Sequence, residues 1–261
     1  WKTAVSRRVT AVLRTASVRW SSLSRWNKFD PVGLLFPRRC PVCHEVVEDP
    51  GELACDICRT RLVRVRDPFC GKCGKPLAAE EQEYCGDCMR KKHAYDRGRA
   101  AFVYEEWMRR SIAQYKYGGR REYAEFYAEE ILLACAREMI RWKAEVLVPI
   151  PLHPSRQRKR GYNQAELLAA KLSEKSGIPM DADCLIRTKK TRAQKELSDR
   201  DRLENLKNAF SVQEKRVPCK RIILVDDIYT TGSTMDEAAR VLKENGAEFI
   251  YFLCISVGRG S

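Results

Sequence analysis

The sequence contains no run of 18 or more apolar residues, which excludes an ordinary membrane-spanning helix. It has no Gly-x-x-x-x-Gly-Lys-Ser/Thr, so nucleotide binding through a Walker loop is excluded as well. The first 28 residues lack the apolar core and small-residue cleavage site of a secretory signal. Histidine is scarce, with 3 in 261 residues: His93 and His153 have no partner in sequence and receive no role, and His44, though next to Cys43, reads as a bystander among abundant cysteines. Acidic residues are in deficit: 35 Asp and Glu face 49 Lys and Arg, for a formal net charge of +14. A surplus of that size points to a polyanionic ligand or partner. It is steepest over residues 1–39, which hold nine basic residues against Asp30 alone.

Cysteine, by contrast, is abundant and ordered. Eight of the 12 fall in four Cys-x2-Cys knuckles at Cys40/Cys43, Cys55/Cys58, Cys70/Cys73 and Cys85/Cys88, repeating every 15 residues. Two knuckles supply the four thiolates of a tetrahedral structural zinc site, so the even count implies two zinc ions. Disulfides or an iron–sulfur cluster are the alternatives; without a secretory signal, Cys-x2-Cys pairs favour metal. The spacing allows sequential pairing, with Cys40, Cys43, Cys55 and Cys58 on one ion and Cys70, Cys73, Cys85 and Cys88 on the other. It equally allows a cross-braced arrangement. The region has too few apolar residues for an independent core, so metal supplies much of its stability. Cys135, Cys184, Cys219 and Cys254 read as plain small thiols.

Downstream of Arg99 the pattern alternates between short apolar runs and helical periodicity. Strands are expected at 100–104, 146–151, 185–186 and 248–257, with helices at 105–117, 121–142, 163–176 and 196–208. That alternation predicts a parallel α/β sheet. Arg221-Ile222-Ile223-Leu224-Val225 is apolar on both faces and reads as the central strand. It stops at Asp226-Asp227, followed by Ile228-Tyr229-Thr230-Thr231-Gly232-Ser233-Thr234 and an amphipathic helix with Met235, Ala238, Ala239 and Leu242 on one face. Hydroxyls, backbone N–H groups and a helix N-terminus converging there form an anion site. Carboxylates repel phosphate but accept from the hydroxyls of a polyol. A phosphate and a diol side by side describe a ribose 5-phosphate. Taken as local structure only, Thr234 and Glu237 fit a capping box.

Residues 223–234 resemble the phosphoribosyl-pyrophosphate (PRPP) motif of type I phosphoribosyltransferases. Val148-Pro149-Ile150-Pro151-Leu152-His153, then Arg156 and Arg160-Gly161-Tyr162-Asn163-Gln164, narrow the resemblance to the ComF family. Arg187-Thr188-Lys189-Lys190-Thr191-Arg192-Ala193-Gln194, continuing through Leu197, Arg200, Asn205 and Ala209-Phe210, belongs to the same pattern, as do the knuckles after Leu34-Leu35-Phe36-Pro37. The resemblance spans about residues 29 to 259. It implies a type I phosphoribosyltransferase fold, a parallel twisted sheet flanked by helices, preceded by a small zinc-binding module of the four-cysteine type. The domains expected are a basic, disordered extension over 1–28, a double zinc-ribbon module over 29–98 and a phosphoribosyltransferase-like domain over 99–261.

By the same resemblance, Asp226 and Asp227 hold the ribose hydroxyls and Thr230, Thr231, Gly232, Ser233 and Thr234 cradle the 5-phosphate. Pro149, Ile150 and Pro151 form the pyrophosphate loop, with Arg156 and Arg160 beyond it. Arg192, Gln194 and Arg200 lie in a flexible loop over 191–201 that closes on PRPP and its Mg²⁺. If transfer occurs, Asp226, Asp227 and Arg192 are the catalytic candidates, since mobile guanidinium groups stabilise a departing pyrophosphate. ComF-family proteins are associated with natural competence, which implies a cytoplasmic protein handling incoming single-stranded DNA beside other DNA-uptake proteins. The alternative is a phosphoribosyltransferase acting on an unidentified nucleobase or amine. The absence of an N-terminal catalytic cysteine or glutaminase domain sets it apart from amidophosphoribosyltransferase.

Overall fold

A computed structural model describes residues 37–49, 51–188, 208–213 and 219–259. The basic extension, the 29–36 segment, the loop over 191–201 and nearly all of the helix expected at 196–208 lie outside the described residues.

Two five-residue helices, α1 (Asp56–Thr60) and α2 (Gly86–Arg90), sit inside the cysteine-rich region. The α/β part runs β1 (Arg97–Val103), α3 (Glu106–Tyr117), α4 (Tyr123–Trp142), β2 (Val146–Pro149), α5 (Pro154–Arg160) and α6 (Gln164–Ser176). It continues with β3 (Leu185–Arg187), β4 (Phe210–Val212), β5 (Arg221–Tyr229), α7 (Ser233–Glu244) and β6 (Phe249–Val257). Four strands form one parallel sheet in the order β1-β6-β5-β2. Adjacent strands align Val148 with Leu224 and Leu224 with Phe252.

Three sequence expectations are corrected. The run expected as a minor strand of the parallel sheet, 185–186, instead pairs antiparallel with β4 in a separate two-stranded ribbon. Arg156 and Arg160, grouped with the pyrophosphate loop by the resemblance, lie instead on the helix α5, started by Pro154, with the His153 ring accepting from the Ser155 N–H at 3.2 Å. And β5 does not stop at the carboxylates; it runs on to Tyr229, because β6 continues to pair with it through Val257.

The strands are buried almost throughout while successive residues point to opposite sides, so the sheet has two apolar faces. Ile223, Val225, Leu253 and Ile255 pack under α4 and α6, while Ile222, Leu224, Phe252 and Cys254 pack under α7. Burying Met235 and Leu242 of α7 there contributes roughly 1.5–3 kcal/mol each. Phe252 can lie flat against β1 only because residue 98 is glycine: a Cβ there would fall 2.0 Å from its ring. The cysteine-rich region joins both cores. Cys40 and Cys58 belong to the α4 side, Cys70, Cys73 and Cys85 to the α7 side. Between them, residues 63–65 pair with the outer edge of β1, through Val65 N–H to Ala101 O (2.9 Å) and Val103 N–H to Val63 O (2.8 Å). An edge that would otherwise invite pairing with another chain is thereby covered. Among the described residues no helix is long and apolar enough to cross a membrane.

Candidate anion-binding site and metal centres

Successive residues of β5 point to opposite faces, so Asp226 and Asp227 diverge even though they adjoin. Asp227 turns toward α3 and forms an ion pair with Lys116, Nζ to Oδ1 2.8 Å, with both side chains largely buried. Asp226 sits on the other face and accepts from the Asp227 N–H at 2.8 Å. Burial, and then the adjacent Asp227 carboxylate, push the Asp226 carboxyl up to about 7, against the pull of Lys116 and Arg187. Burial would lower the Lys116 ammonium, but Asp227 outweighs it and holds its pKa above the usual lysine value.

Beyond Tyr229 the chain turns into α7. Gly232 occupies the N-cap position with φ 81°, a left-handed conformation that favours glycine, and an added Cβ would lie 2.6 Å from the Tyr229 hydroxyl. The Thr231 and Ser233 hydroxyls are 3.1 Å apart. No capping box forms. Gly232 offers no side chain, and Glu237 is engaged by Arg240 and by the Asn208 N–H at 2.7 Å. The first N–H groups of α7 therefore face a small polar recess lined by Asp226, Ile228, Tyr229, Thr230, Gly232, Ser233, Thr234 and Met235.

The expected pyrophosphate loop lies beside it. Pro149 ends β2, and the next residue, Ile150, donates its N–H to Val225 O at 2.9 Å, so 149–151 abut the strand just before Asp226. Asn163, the N-cap of α6, fixes the loop by donating to Ile150 O at 3.1 Å. Arg156 and Arg160 stand one helical turn apart on α5. Arg160 bonds Gln164 Oε1 (2.8 Å) and the Tyr117 hydroxyl (3.0 Å). Burial and then the Arg160 charge lower Arg156; burial and then Arg156 bring Arg187 down to about 10, with Asp226 opposing. Cations that depress one another gather where a polyanion would relieve them. Arg192, Gln194 and Arg200 are outside the described residues. Lys116 was missed by sequence reasoning. It lies in a Tyr-Lys-Tyr run with no motif of its own, and only the tertiary contact with Asp227 reveals it.

The four knuckles pair sequentially. Cys40, Cys43, Cys55 and Cys58 gather their sulfurs within 4.8 Å of one another, as do Cys70, Cys73, Cys85 and Cys88, which settles the question against cross-bracing. Zn–S bonds of 2.3 Å in a tetrahedron require sulfurs about 3.8 Å apart. The Cys43–Cys55 separation is 3.9 Å and the Cys73–Cys85 separation 3.6 Å, so both sets fit a tetrahedral zinc ion. His44 is not a ligand; its Nδ1 meets the Tyr123 hydroxyl of α4 at 3.0 Å. Arg59 and Arg64 of the first ribbon both hold the buried Glu130 of α4, at 2.8 and 2.7 Å.

The second set backs directly onto the turn. Tyr95 meets the Tyr229 hydroxyl at 2.5 Å, and Tyr229 stacks on Phe252 with centroids 4.7 Å apart. Asp236, in the first turn of α7, accepts from Ala94 N–H (2.9 Å), His93 Nδ1 (2.9 Å) and Lys91 Nζ (2.8 Å). Burial would raise its pKa, but the bonds from His93 and Lys91 prevail and hold the carboxyl below the usual range.

A parallel sheet whose inner strand carries paired carboxylates into a hydroxyl-rich turn belongs to the phosphoribosyltransferase class, and residues 128–260 match the Phosphoribosyl transferase domain. Residues 32–89 match the Double zinc ribbon domain, in keeping with the sulfur geometry. Several relatives align over most of this chain. Competence protein F of Haemophilus influenzae is 34% identical over 220 residues, covering 82% of this chain and 95% of that protein. DNA utilization protein YhgH of Escherichia coli K12 is 33% identical over 225 residues, 85% of this chain and 98% of the relative. Competence protein ComFC of Bacillus subtilis is 30% identical over 201 residues, 76% and 80% of the two chains. The chain belongs to the ComF family.

Proposed function

We propose that this protein binds PRPP with Mg²⁺ between β5, the α7 N-terminus and the 149–151 loop, and serves natural competence by handling incoming single-stranded DNA in the cytoplasm. The observation that carries the PRPP reading is the adjacency of two environments of opposite chemistry. The turn at 230–234 opens α7 N–H groups to an anion, and Asp226 stands at its rim with Asp227 next to it on β5. On this reading the 5-phosphate takes the turn, the ribose hydroxyls take Asp226 and Asp227, and the pyrophosphate with its Mg²⁺ lies along 149–151 toward Arg156, Arg160 and the 191–201 loop. The relatives named for competence and DNA utilization support the DNA role, as does the formal net charge of +14. The proposed division leaves 29–98 as a metal-held support and 99–261 as the ligand-binding part, with 1–28 a basic arm.

A second reading is transfer of the phosphoribosyl group to a nucleobase or amine. It is favoured by the gathering of Arg156, Arg160 and Arg187, which would stabilise a departing pyrophosphate. Phosphorus NMR of PRPP and Mg²⁺ with the protein tests both readings. Shifted or broadened PRPP signals, absent from an Asp226→Ala/Asp227→Ala variant that retains its zinc, support binding. Growth of free pyrophosphate with one of a panel of acceptors establishes transfer. Unchanged PRPP signals defeat both. For the DNA role, single-stranded DNA affinity should fall steeply with salt.

A further inference from the structure

Lys116 is held with unusual care for a lysine. It sits in the last turn of α3, which is pinned to the start of α6: the Tyr115 hydroxyl donates to Gln164 O at 2.8 Å, and the Tyr162 hydroxyl donates to the Tyr115 carbonyl. Its side chain is only 18% exposed, yet it keeps an ammonium at 2.8 Å from Asp227 Oδ1. A cation buried this far is costly unless an anion compensates it, and Asp227 does so here. The need is reciprocal. Two adjacent carboxylates repel each other, so a pair that is to accept two hydroxyls of one sugar requires positive charge on each face of its strand. Arg187 supplies that charge on the Asp226 face, and Lys116 alone among the described residues forms an ion pair with Asp227.

We infer that Lys116 is a positioning residue of this site: through its ion pair it aims Asp227 and supplies the cation that lets Asp226 and Asp227 work together as ribose-hydroxyl acceptors. The inference rests on the PRPP reading for its ligand, but not for its electrostatics. The groups acting on Asp226 are Asp227 on its own strand, Lys116 of α3 and Arg187 of β3, with the Cys254 thiol of β6 alongside and Arg156 of α5 reaching it through Arg187. Removing the ammonium leaves the carboxylate repulsion less opposed, so Asp226 protonates at higher pH. A shift of about one unit, the low end of what a nearby charge produces, would cut its ionised fraction at pH 7 about fivefold.

The test uses the zinc-loaded full chain as wild type, Lys116→Met, Lys116→Gln and Lys116→Arg, each checked for two zinc ions and native circular dichroism. Carbon-13 NMR of the aspartate carboxyls follows the Asp226 midpoint without any ligand. Calorimetry with PRPP and Mg²⁺ from pH 6 to 9 follows affinity. The Met and Gln variants should raise the Asp226 midpoint and weaken binding about fivefold at pH 7, with the gap closing toward pH 9 and Arg restoring most of both. An unmoved midpoint in Met and Gln, or an affinity loss equal at every pH, overturns the inference. If the midpoint moves while wild type binds no PRPP, the positioning role stands and the PRPP reading fails.

Discussion

Replacing Asp226 by Asn should make the ligand-free protein more stable, and increasingly so as pH rises. The Asp226 carboxyl is raised from an ordinary 3.8 to about 7 by burial and by Asp227. A carboxyl raised on folding is neutral in both states at low pH, so Asp and Asn are then equivalent. As pH climbs through the unfolded value the unfolded chain ionises first, and wild type loses stability until the folded group ionises as well, near pH 7. At about 1.4 kcal/mol per unit, the full difference approaches 4 kcal/mol above pH 7. Roughly half of it develops between pH 5.5 and 8. Because Asp226 lines an open recess, water and ions should halve that increment again, to about 1 kcal/mol, or roughly 2–4 °C in melting temperature for a chain this size. Asn retains an oxygen to accept from the Asp227 N–H, so the substitution isolates the charge. Melting curves in zinc-containing buffer at half-unit steps from pH 5.5 to 8 provide the measurement, with PRPP titrations in parallel. An Asn variant that loses ligand binding while its stability advantage widens with pH confirms that the site is strained for function. A pH-independent difference, or a variant less stable than wild type at pH 8, refutes the burial argument.

Other expectations are equally direct. Cys43→Ser/Cys55→Ser should bind one zinc ion per chain by elemental analysis and Cys73→Ser/Cys85→Ser likewise, because the sets are separate; loss of both ions in either variant would mean the sites are interdependent. Gly232→Ala should destabilise the fold by about 1–3 kcal/mol and abolish PRPP binding, since Ala must adopt the left-handed conformation and meet the Tyr229 hydroxyl; a near-neutral melting temperature would contradict this. Asp236→Ala should speed hydrogen exchange at the Ala94 amide while zinc content holds at two, and unchanged exchange would show that its carboxylate does not anchor the segment.

Much of this was legible because the responsible signals are local. The 15-residue cysteine period, the apolar run before Asp226 and the hydroxyl-glycine turn each sit within one stretch of chain. The helices ending at Tyr117, Trp142 and Ser176 were marked by spacing and by Gly118 and Gly177. What could not be read was set by distant partners. Tyr229 belongs to β5 because β6 extends beside it, and the pairing of β3 depends on a strand more than 20 residues later. Thr234 and Glu237 have the right letters for a capping box, but Arg240 and Asn208 claim the glutamate. Lys116 carries no motif at all; its meaning lies in Asp227, 111 positions away.

The strand order has a consequence for how the molecule is made. β6, the last strand of the sheet, is an inner one, lying between β1 and β5, and Phe252 completes the wall behind Tyr95 and Tyr229. The ribbons leave the ribosome before the sheet does, and their sulfur sites can take up zinc at once. The apolar sides they turn toward the sheet must then wait for some 150 further residues, roughly 10–30 s of synthesis at ordinary rates. Until β6 emerges, the 63–65 segment can cover one edge of β1 while the partner of its other edge is still to be made. A ribbon that takes up zinc early would shield one edge of the unfinished sheet, and a shortage of zinc would then be felt first by the newborn chain rather than by the finished one.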